Sequence, residues 1–311
     1  MRILITGALG HIGSQLIREI PSLLPDAEVQ MLDNLSTQRY CSLFNLPAAG
    51  KYRFIEEDIL TAELAPVFKG MDAIIHLAAI TDAAGSFEIR EKVEQVNFTG
   101  TQKVAEACIK AGCPMVFIST TSVYGTQKMI VDENCSAEDL RPQSPYAESK
   151  LRAEQMLQQL GAGKGLRFII CRFGTIFGVS PGMRFHTAVN KFVWQACLGK
   201  PITVWRMALN QKRPYLDLRD AVRAIGFITK NRRFDNGIYN VLTVNATVGE
   251  IVDIIKSVVG DLQIEYVDSP VMNQLSYAVS RKKFEALGFE FKGSLAGGIA
   301  ETVRMLQGCR S

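Results

Sequence analysis

Short segments rich in β-branched residues alternate with longer helical patterns from the start of the chain, and this alternation constrains the fold most strongly. Buried strands are predicted at residues 2–6, 28–32, 52–56, 73–77, 115–119 and 167–171. Helices are predicted between them at residues 12–20, 88–111 and 146–160. Elements that alternate in this way join into a parallel sheet through helical crossovers. The sequence therefore predicts an α/β fold with a doubly wound parallel sheet.

The pattern changes after residue 173, where a loop rich in glycine and proline precedes shorter elements. Helices are predicted at residues 187–198, 220–230, 248–259, 282–287 and 299–306, and strands at 202–206, 215–218, 237–242 and 264–267. We interpret residues 1–173 as one domain and residues 174–311 mainly as a smaller C-terminal α/β lobe. Parts of 214–242 are expected to return to the first domain.

Bulk properties exclude several kinds of partner. The 311-residue chain has a formal net charge of +4 and scattered basic residues, which is not the pattern of a nucleic-acid-binding surface. No apolar stretch is long enough to span a membrane or to form the core of a signal peptide, so a cytoplasmic protein is expected. The cysteines and histidines show no metal-ligand spacing, and no metal site is predicted.

Three glycines join the first predicted strand to the first helix: Gly7, Gly10 and Gly13. Glycines at such a turn let the backbone approach a pyrophosphate. Free N–H groups at the start of the helix, at His11 and Ile12, would then face the phosphates. A glycine turn between a strand and a helix also occurs without a ligand, so the neighbouring residues decide between the two interpretations.

Asp33 ends the second predicted strand, twenty positions beyond Gly13. A carboxylate there accepts hydrogen bonds from both ribose hydroxyls of adenosine and repels a 2′-phosphate. The pattern therefore favours NAD over NADP; the alternative is that Asp33 only opens a turn with Asn34. The first domain is accordingly predicted to be a Rossmann-type domain that binds NAD, and the second lobe to bind the substrate.

Two further strand ends supply candidate cofactor contacts. Asp58 and Ile59 follow the third strand, where a side chain meets adenine or caps a helix. The end of the fourth strand carries small residues that would let a cofactor lie against the backbone, namely Leu77, Ala78 and Ala79. His76, just before them, is predicted to be packed in the core and not to be a catalyst.

Tyr146 and Lys150 are four residues apart, which places them on one face of a helix. A free tyrosine titrates near pH ~10, so a shift of about three units, roughly 4 kcal/mol, is needed for it to act as a base near neutrality. Burial alone shifts this pKa in the wrong direction, so nearby positive charge must lower it. Lys150 and an oxidised nicotinamide ring are the predicted sources of this positive charge.

A cluster of hydroxyl side chains at 119–125 follows the fifth predicted strand. Its hydroxyl groups can bind the same substrate oxygen as Tyr146.

These motifs appear in the order of the extended short-chain dehydrogenase/reductase family. The glycine turn, Asp33 with Asn34, the segment around Asn97, the Ser/Thr–Val–Tyr–Gly run and the Tyr-x-x-x-Lys pair all resemble that family. Within it the chain is most similar to UDP-glucose 4-epimerase and related NDP-sugar epimerases, through Arg172 strongly and beyond it more weakly.

The resemblance implies roles for individual residues. Tyr146 would be the general base, Lys150 its electrostatic partner and a ribose ligand, and Thr120 the catalytic hydroxyl. Arg213 would hold the substrate diphosphate, or alternatively form a structural ion pair. Thr175 stands where relatives often carry a phosphate-binding asparagine, and Asn190 is the predicted substitute. The NAD site would be lined by Gly7, Gly10, His11, Ile12, Gly13, Asp33, Asn34, Asp58, Ile59, Leu77, Ala78, Ala79, Asn97, Tyr146 and Lys150.

The expected reaction is C4 epimerisation of an NDP-sugar, with UDP as the expected nucleotide, through a 4-keto intermediate. Related dehydratases and decarboxylases carry an acid after the catalytic hydroxyl, whereas this chain has Thr121 and Ser122. The alternatives are a net NAD-dependent dehydrogenase or reductase acting on a sugar nucleotide or a small hydroxy substrate, and a non-catalytic NAD-binding protein. The last is disfavoured because both Tyr146 and Lys150 are present.

The apolar faces of the helices at 88–111 and 146–160 predict a homodimer, although core burial would explain the same faces.

Overall fold

A computed structural model describes residues 1–125, 128–268, 276–306 and 308. Its strands are β1 (Arg2–Thr6), β2 (Glu28–Asp33), β3 (Lys51–Glu56), β4 (Ala73–His76), β5 (Met115–Thr120), β6 (Ile130–Val131), β7 (Phe168–Phe173), β8 (Thr175–Phe177), β9 (Ile202–Trp205), β10 (Lys212–Asp217), β11 (Ile238–Val241), β12 (Val244–Thr247), β13 (Ile264–Val267) and β14 (Ala278–Val279). Its helices are α1 (His11–Leu23), α2 (Leu64–Phe68), α3 (Arg90–Val93), α4 (Gly100–Ala111), α5 (Pro145–Lys164), α6 (Ala188–Cys197), α7 (Leu218–Lys230), α8 (Val248–Val259), α9 (Lys282–Glu285) and α10 (Leu295–Leu306).

Within the described residues, seven strands form one sheet in the order β11-β7-β5-β4-β1-β2-β3, and every neighbouring pair is parallel. The order reverses direction at β1, which lies between β2 and β4. In open α/β sheets, ligands bind outside the carboxyl ends of the strands at such a switch point. The predicted doubly wound parallel sheet is confirmed.

Alternating side chains of the strands supply two hydrophobic cores, one on each face of the sheet. On β1, Ile3 and Ile5 join a core that includes residues of α1 and α7. Leu4 points to the other face and joins a core that includes residues of α2, α4 and α5. Helices therefore cover both faces, and β4, β5 and β7 are buried along their whole length.

The edge of the sheet differs from the prediction. The segment at 52–56 is expected to be a buried strand, but β3 is the last strand of the sheet and none of its residues is buried. An edge strand pairs on one side only, so half of its surroundings are solvent. The predicted helix at 88–111 also differs, because a π-helical segment, Glu94–Thr99, separates α3 from α4.

The C-terminal lobe has its own core. Residues of α6, α8 and α10 pack there with β9 and β10, around buried Phe177, Ile251 and Ile299. From this lobe the chain returns to the first domain, where α7 packs against α1 and β11 adds to the main sheet beside β7. The division at residue 173 stays a prediction. In the described ranges, no helix has the length and apolar character needed to cross a membrane.

Candidate active site

The glycine turn between β1 and α1 is pressed against the end of β4. Gly7 has a φ of +67°, and a Cβ added to it would lie 2.6 Å from the backbone nitrogen of Ala78. A Cβ on Gly13 would lie 2.6 Å from the carbonyl oxygen of Gly7. Only glycine tolerates both the left-handed backbone and these contacts. The turn therefore allows the close backbone approach that the sequence predicts.

Helix α1 begins at His11 with Gly10 as its N-cap residue, and no side chain among the described residues caps its first N–H groups. Uncapped N–H groups at a helix start are ready donors for an anion. The His11 imidazole forms a hydrogen bond of 2.8 Å with the carbonyl oxygen of Gly178. Burial lowers the pKa of His11 to about 4, so this side chain is neutral at pH 7. His11 therefore anchors a distant loop and contributes no charge to the turn.

Asp33 joins the glycine turn to the turn that follows β2. One carboxylate oxygen accepts the N–H of Leu9 at 3.0 Å, and the other accepts the N–H of Leu35 at 3.0 Å. Leu35 has a φ of +54°, a conformation that costs free energy for a side chain of its size. Asn34 then donates to the carboxylate of Asp58 at 2.8 Å. These bonds hold the acidic end of the site in place before any ligand binds.

A large cavity runs along the carboxyl ends of the strands, with a volume of about 1040 Å³. This volume is at the upper end of the range of small-molecule sites. Every predicted site residue lines it except Asn97 and Asn190. The described residues contain no group of three or more His, Cys, Asp or Glu side chains able to hold a metal ion.

Asn97 lies behind the cavity wall. Its side-chain amide donates to the carbonyl of Ile80 at 2.9 Å and to the hydroxyl of Ser149 at 3.2 Å, and its oxygen accepts the N–H of Ile80 at 2.8 Å. The side chain therefore holds the segment after β4 against α5. Ile80 itself lines the cavity, so any effect of Asn97 on a ligand passes through that segment.

Asn190 is also outside the cavity, fully buried on α6. Its oxygen accepts the N–H of Gly178 at 3.2 Å, and its amide donates to the carbonyl of Arg184 at 2.9 Å. Both ends of the amide are engaged with backbone, so the structure does not bring Asn190 to a substrate phosphate. Instead it holds the loop that carries Arg184 into the cavity.

Tyr146 and Lys150 reach the cavity from the first turns of α5, as their spacing predicts. The helix begins at Pro145, with Ser144 as the N-cap residue whose hydroxyl accepts the N–H of Ala147 at 3.2 Å. The side chain of Thr120, at the end of β5, is close enough to the Tyr146 phenol to lower its pKa. The predicted tyrosine, lysine and threonine therefore converge on one part of the cavity wall.

Burial acts in opposite directions on the two titratable groups of this cluster. It raises the pKa of Tyr146, while the positive charge of Arg184 and the side chain of Thr120 lower that pKa in part. Burial lowers the pKa of Lys150 to about 7, and the charge of Glu154 opposes this. The Lys150 ammonium donates to the carbonyl of Ile118 at 2.9 Å. A further positive charge beside Tyr146 would therefore bring its pKa closer to neutrality.

His76 is buried in the core, as expected. Its ring nitrogens are hydrogen-bonded to the hydroxyls of Thr6 at 2.7 Å and Thr101 at 3.0 Å. Burial lowers its pKa to about 3, so it is neutral. These bonds connect β4 to β1 and α4.

Arg213 lines the part of the cavity formed by β10. Its guanidinium lies over the ring of Tyr277, 5.0 Å from the ring centroid. Arg213 forms no ion pair with any described residue, which disfavours the structural alternative. Arg39, Arg184 and Tyr277 also line the cavity, but no motif in the sequence marks them.

The glycine turn and the Tyr146 cluster lie in one cavity. This combination agrees with the protein family to which the sequence is similar. The model of the NAD dependent epimerase/dehydratase family matches residues 3–241, and the chain belongs to this family. The predicted membership in the extended short-chain dehydrogenases is thereby confirmed.

Two relatives in this family are similar to the chain over most of its length. The chain is 34% identical to a Bacillus subtilis (strain 168) protein named uncharacterized UDP-glucose epimerase YtcB, over 72% of this chain and 71% of that protein. It is 30% identical, over 97% of this chain, to an Arabidopsis thaliana protein named trifunctional UDP-glucose 4,6-dehydratase/UDP-4-keto-6-deoxy-D-glucose 3,5-epimerase/UDP-4-keto-L-rhamnose-reductase RHM3. The chain spans only 46% of the length of that plant protein.

Solved structures share the whole architecture. UDP-glucose 4-epimerase of Thermus thermophilus, in complex with NAD, has a TM-score of 0.83 and 26% identity, and the match covers 99% of each chain. A mutant of the UDP-glucuronic acid 4-epimerase of Bacillus cereus, solved with UDP-4-deoxy-4-fluoro-glucuronic acid and NAD, has a TM-score of 0.91. Its identity is 23%, over 99% of this chain and 100% of that one, so this likeness shows the fold alone.

Proposed function

We propose that this chain is an NAD-dependent epimerase of a nucleotide-diphosphate sugar, and that it inverts C4 through a 4-keto sugar. The observation that carries the proposal is the convergence of Tyr146, Lys150 and Thr120 on a cavity that also contains the glycine turn. A proton-transfer group and a dinucleotide site in one cavity are what reversible oxidation of a sugar alcohol requires.

The described residues fit NAD. A Cβ at Gly7 would clash with the backbone of Ala78, so glycine allows the tight turn on which a pyrophosphate would lie. Asp33 lines the cavity at the end of β2, where it would bind the adenosine ribose. Leu77, Ala78 and Ala79 line the wall beside the turn. When bound, NAD would supply the acceptance and return of hydride at the sugar carbon.

Tyr146 would take the proton of the sugar hydroxyl and later return it. Thr120, which lies near the same phenol, would hold the sugar oxygen in line. Because burial raises the pKa of Tyr146, the phenol remains protonated until positive charge accumulates beside it. Arg184 supplies part of that charge, and Lys150, one turn along α5, lines the same cavity and would add to it in its protonated form.

The nucleotide end of the substrate would bind in the lobe of residues 174–311. Arg213, which has no carboxylate partner among the described residues, would bind the doubly charged diphosphate and is oriented by Tyr277. Thr175 lies on β8, which pairs with β10, and offers a hydroxyl to the sugar or phosphate. We favour UDP as the nucleotide because the Bacillus relative is named for a UDP-linked sugar.

Epimerisation is favoured over 4,6-dehydration by the residues that follow Thr120. Related dehydratases carry an acid there for proton chemistry at the neighbouring carbons, and Thr121 and Ser122 stand in those positions. The Thr121 hydroxyl donates to the carbonyl of Phe173 at 3.2 Å. Because dehydratases are among the relatives, this is the distinction to test.

The test is to incubate the purified protein with UDP-glucose, UDP-N-acetylglucosamine, UDP-glucuronic acid and dTDP-glucose, and to follow the sugars by NMR. The expected result is interconversion of the C4 epimers of at least one sugar without net NADH production. Steady NADH accumulation, followed by absorbance, would identify a dehydrogenase, and a 4-keto-6-deoxy sugar would identify a dehydratase. Either outcome, or no conversion of any sugar, contradicts the proposal.

We further propose that the protein is a homodimer through the face formed by α3, α4 and α5. Phe87 and Ile89, which precede α3, are 45% and 42% exposed. Two ion pairs connect α5 to the segments before it, Arg90 with Glu148 and Arg152 with Glu94. Light scattering coupled to size-exclusion chromatography measures the molecular mass directly, and the mass of a monomer would contradict the proposed dimer.

The cytoplasmic location stays a prediction from the sequence.

A further inference from the structure

Two segments far apart in the chain cover the glycine turn. The first is residues 39–42, which begin at Arg39. The buried hydroxyl of Ser42 donates to the carbonyl of Leu9 at 2.9 Å, and Leu9 is part of the glycine turn. This bond holds the segment in place relative to the start of α1.

The second segment is residues 178–184, which end at Arg184. The Ser180 hydroxyl donates to the carbonyl of His11 at 2.9 Å, and the N–H of Gly182 donates to the hydroxyl of Ser14 at 2.9 Å. A Cβ on Gly182 would lie 2.4 Å from the carbonyl oxygen of Leu9, so the two backbones are in direct contact. This segment therefore lies directly on the glycine turn.

The two segments also meet each other. The thiol of Cys41 is 3.5 Å from the carbonyl oxygen of Pro181. Residues 39–42 and 178–184 thus form a continuous cover over the N-terminus of α1. Each segment carries one arginine at its end, and both arginines line the cavity.

The charges of these two arginines are within electrostatic range of each other. Burial lowers the pKa of Arg184 to about 10; interactions with Tyr146 and Asp82 oppose this shift, and the charge of Arg39 adds to it. The Nε of Arg184 is buried and has no hydrogen-bond partner among the described residues. His11, within electrostatic range of both, is neutral. A buried guanidinium with an unpaired Nε and a second arginine nearby would be stabilised by an anion that both side chains can reach.

We propose that Arg39 and Arg184 together bind the pyrophosphate of the dinucleotide, each from one of the two covering segments. The inference rests on the proposed NAD-dependent function and adds to it the side chains that close the cofactor site. The glycine turn and the start of α1 supply backbone N–H groups to the same phosphates. The two guanidiniums supply the net positive charge that the neutral backbone groups lack.

The substrate diphosphate is the other anion that this cavity would receive, but its predicted ligand is elsewhere. Arg213 lies on β10 and is stacked on Tyr277. Arg39 is instead within electrostatic range of Asp33, whose charge raises the pKa of Arg39 against the effect of burial. Asp33 marks the adenosine end of the site. The pair is therefore assigned to the dinucleotide.

The experiment measures binding and not turnover, so it is independent of which sugar is converted. The protein is stripped of bound nucleotide, and the Kd values of NAD and of UDP are measured by calorimetry for wild type, Arg39→Gln, Arg184→Gln and Arg213→Gln. The first two variants are expected to weaken NAD by about tenfold or more and to leave UDP within about twofold, as expected for loss of a charge-assisted bond to phosphate. Arg213→Gln is expected to show the reverse pattern.

Two further measurements separate this effect from a folding defect. Arg184→Lys retains the charge and is expected to recover part of the NAD affinity, while the thermal unfolding of every variant without nucleotide is compared with wild type. Binding of adenosine, which has no phosphate, is expected to be unchanged in all of these proteins. The inference is overturned if Arg39→Gln and Arg184→Gln bind NAD as tightly as wild type, if they weaken UDP instead, or if they weaken adenosine equally. Wild type that binds NAD in this arginine-dependent way but converts no sugar would contradict the proposed function alone.

Discussion

Glu154, on the helix that carries Tyr146, forms a buried ion pair with Arg172 on β7. The Nη2 of Arg172 lies 2.6 Å from one oxygen of Glu154, and its Nε lies 3.0 Å from the other. The Ser119 hydroxyl also donates to this carboxylate, and Arg172 donates to the Tyr124 hydroxyl at 2.9 Å. Glu154 is one helical turn beyond Lys150, and its charge opposes the effect of burial on the pKa of that lysine. The pair therefore links α5 to β5 and β7.

Breaking this pair on one side should destabilise the fold strongly. Glu154→Gln leaves the Arg172 guanidinium buried with an incomplete set of partners, and such a loss costs about 3–5 kcal/mol. The free energy of unfolding, measured by urea denaturation, is expected to fall by that amount. The double variant Glu154→Gln with Arg172→Met removes the orphaned charge and is expected to recover part of the loss. A single variant as stable as wild type would show that the pair is not needed.

Gly7 is expected to be intolerant of a side chain for two separable reasons. Gly7→Ala places a β-carbon in a left-handed backbone and 2.6 Å from the Ala78 nitrogen. Gly112 has a similar φ of +70°, but a Cβ there meets no described atom within 4 Å. Gly112→Ala should therefore cost only the backbone strain, about 1–2 kcal/mol, whereas Gly7→Ala should cost more and also lose NAD binding. Thermal unfolding and NAD titration of both variants check this, and equal effects would argue against the clash.

Tyr146→Phe should abolish most turnover while NAD still binds. Loss of a positioned general acid–base group lowers the rate by about 10²–10⁴-fold. The phenol lies near Thr120, and its removal is expected to leave the glycine turn and Asp33 unchanged. The measurements are the epimerisation rate on the best substrate and the Kd of NAD. A variant that retains nearly the wild-type rate would remove Tyr146 from the proposed role.

His76 should make the protein less stable in mild acid. Its pKa is about 3 in the folded protein, below its ordinary value of 6.5, so the unfolded chain binds a proton first as the pH falls. Stability from this group is present above pH 6.5 and is lost as the pH falls towards 3, at up to about 1.4 kcal/mol per pH unit. His76→Gln should therefore show a shallower fall in unfolding free energy than wild type as the pH is lowered through this range. Parallel curves for the two proteins would contradict this assignment.

Several features of the molecule follow from short-range patterns that the sequence displays. The strand–helix alternation predicts the parallel sheet, because a buried strand and an amphipathic helix each have a periodicity that local residues set. Tyr146 and Lys150 meet the same cavity because a four-residue spacing is about one turn of any α-helix. Gly7 and Asp33 are recognisable from their positions relative to the strands. These are local relationships, and family resemblance adds their chemical roles.

Other features depend on which distant segments come together. The short strands β6, β8 and β14 have too few residues for a periodic pattern, and each forms only because a partner strand lies beside it. The sequence predicts Tyr52 and its neighbours to be buried, because composition alone does not reveal which strand is at the edge of a sheet. The position of Asn190 is likewise decided by Gly178 and Arg184, whose backbone groups occupy both ends of its amide.

By itself the sequence determined the class of fold, the glycine turn and the tyrosine–lysine pair, since each depends on residues a few positions apart. Only the tertiary structure decided that Arg39 and Arg184 lie over the same turn. The position of Arg39 depends on the bond between Ser42 and Leu9, and that of Arg184 on bonds between segments more than a hundred residues apart, such as that between His11 and Gly178. The physical reason is that the charge and the hydrogen-bonding groups of a side chain are properties of that residue alone. Which residues come together depends on how the C-terminal lobe packs against the main sheet.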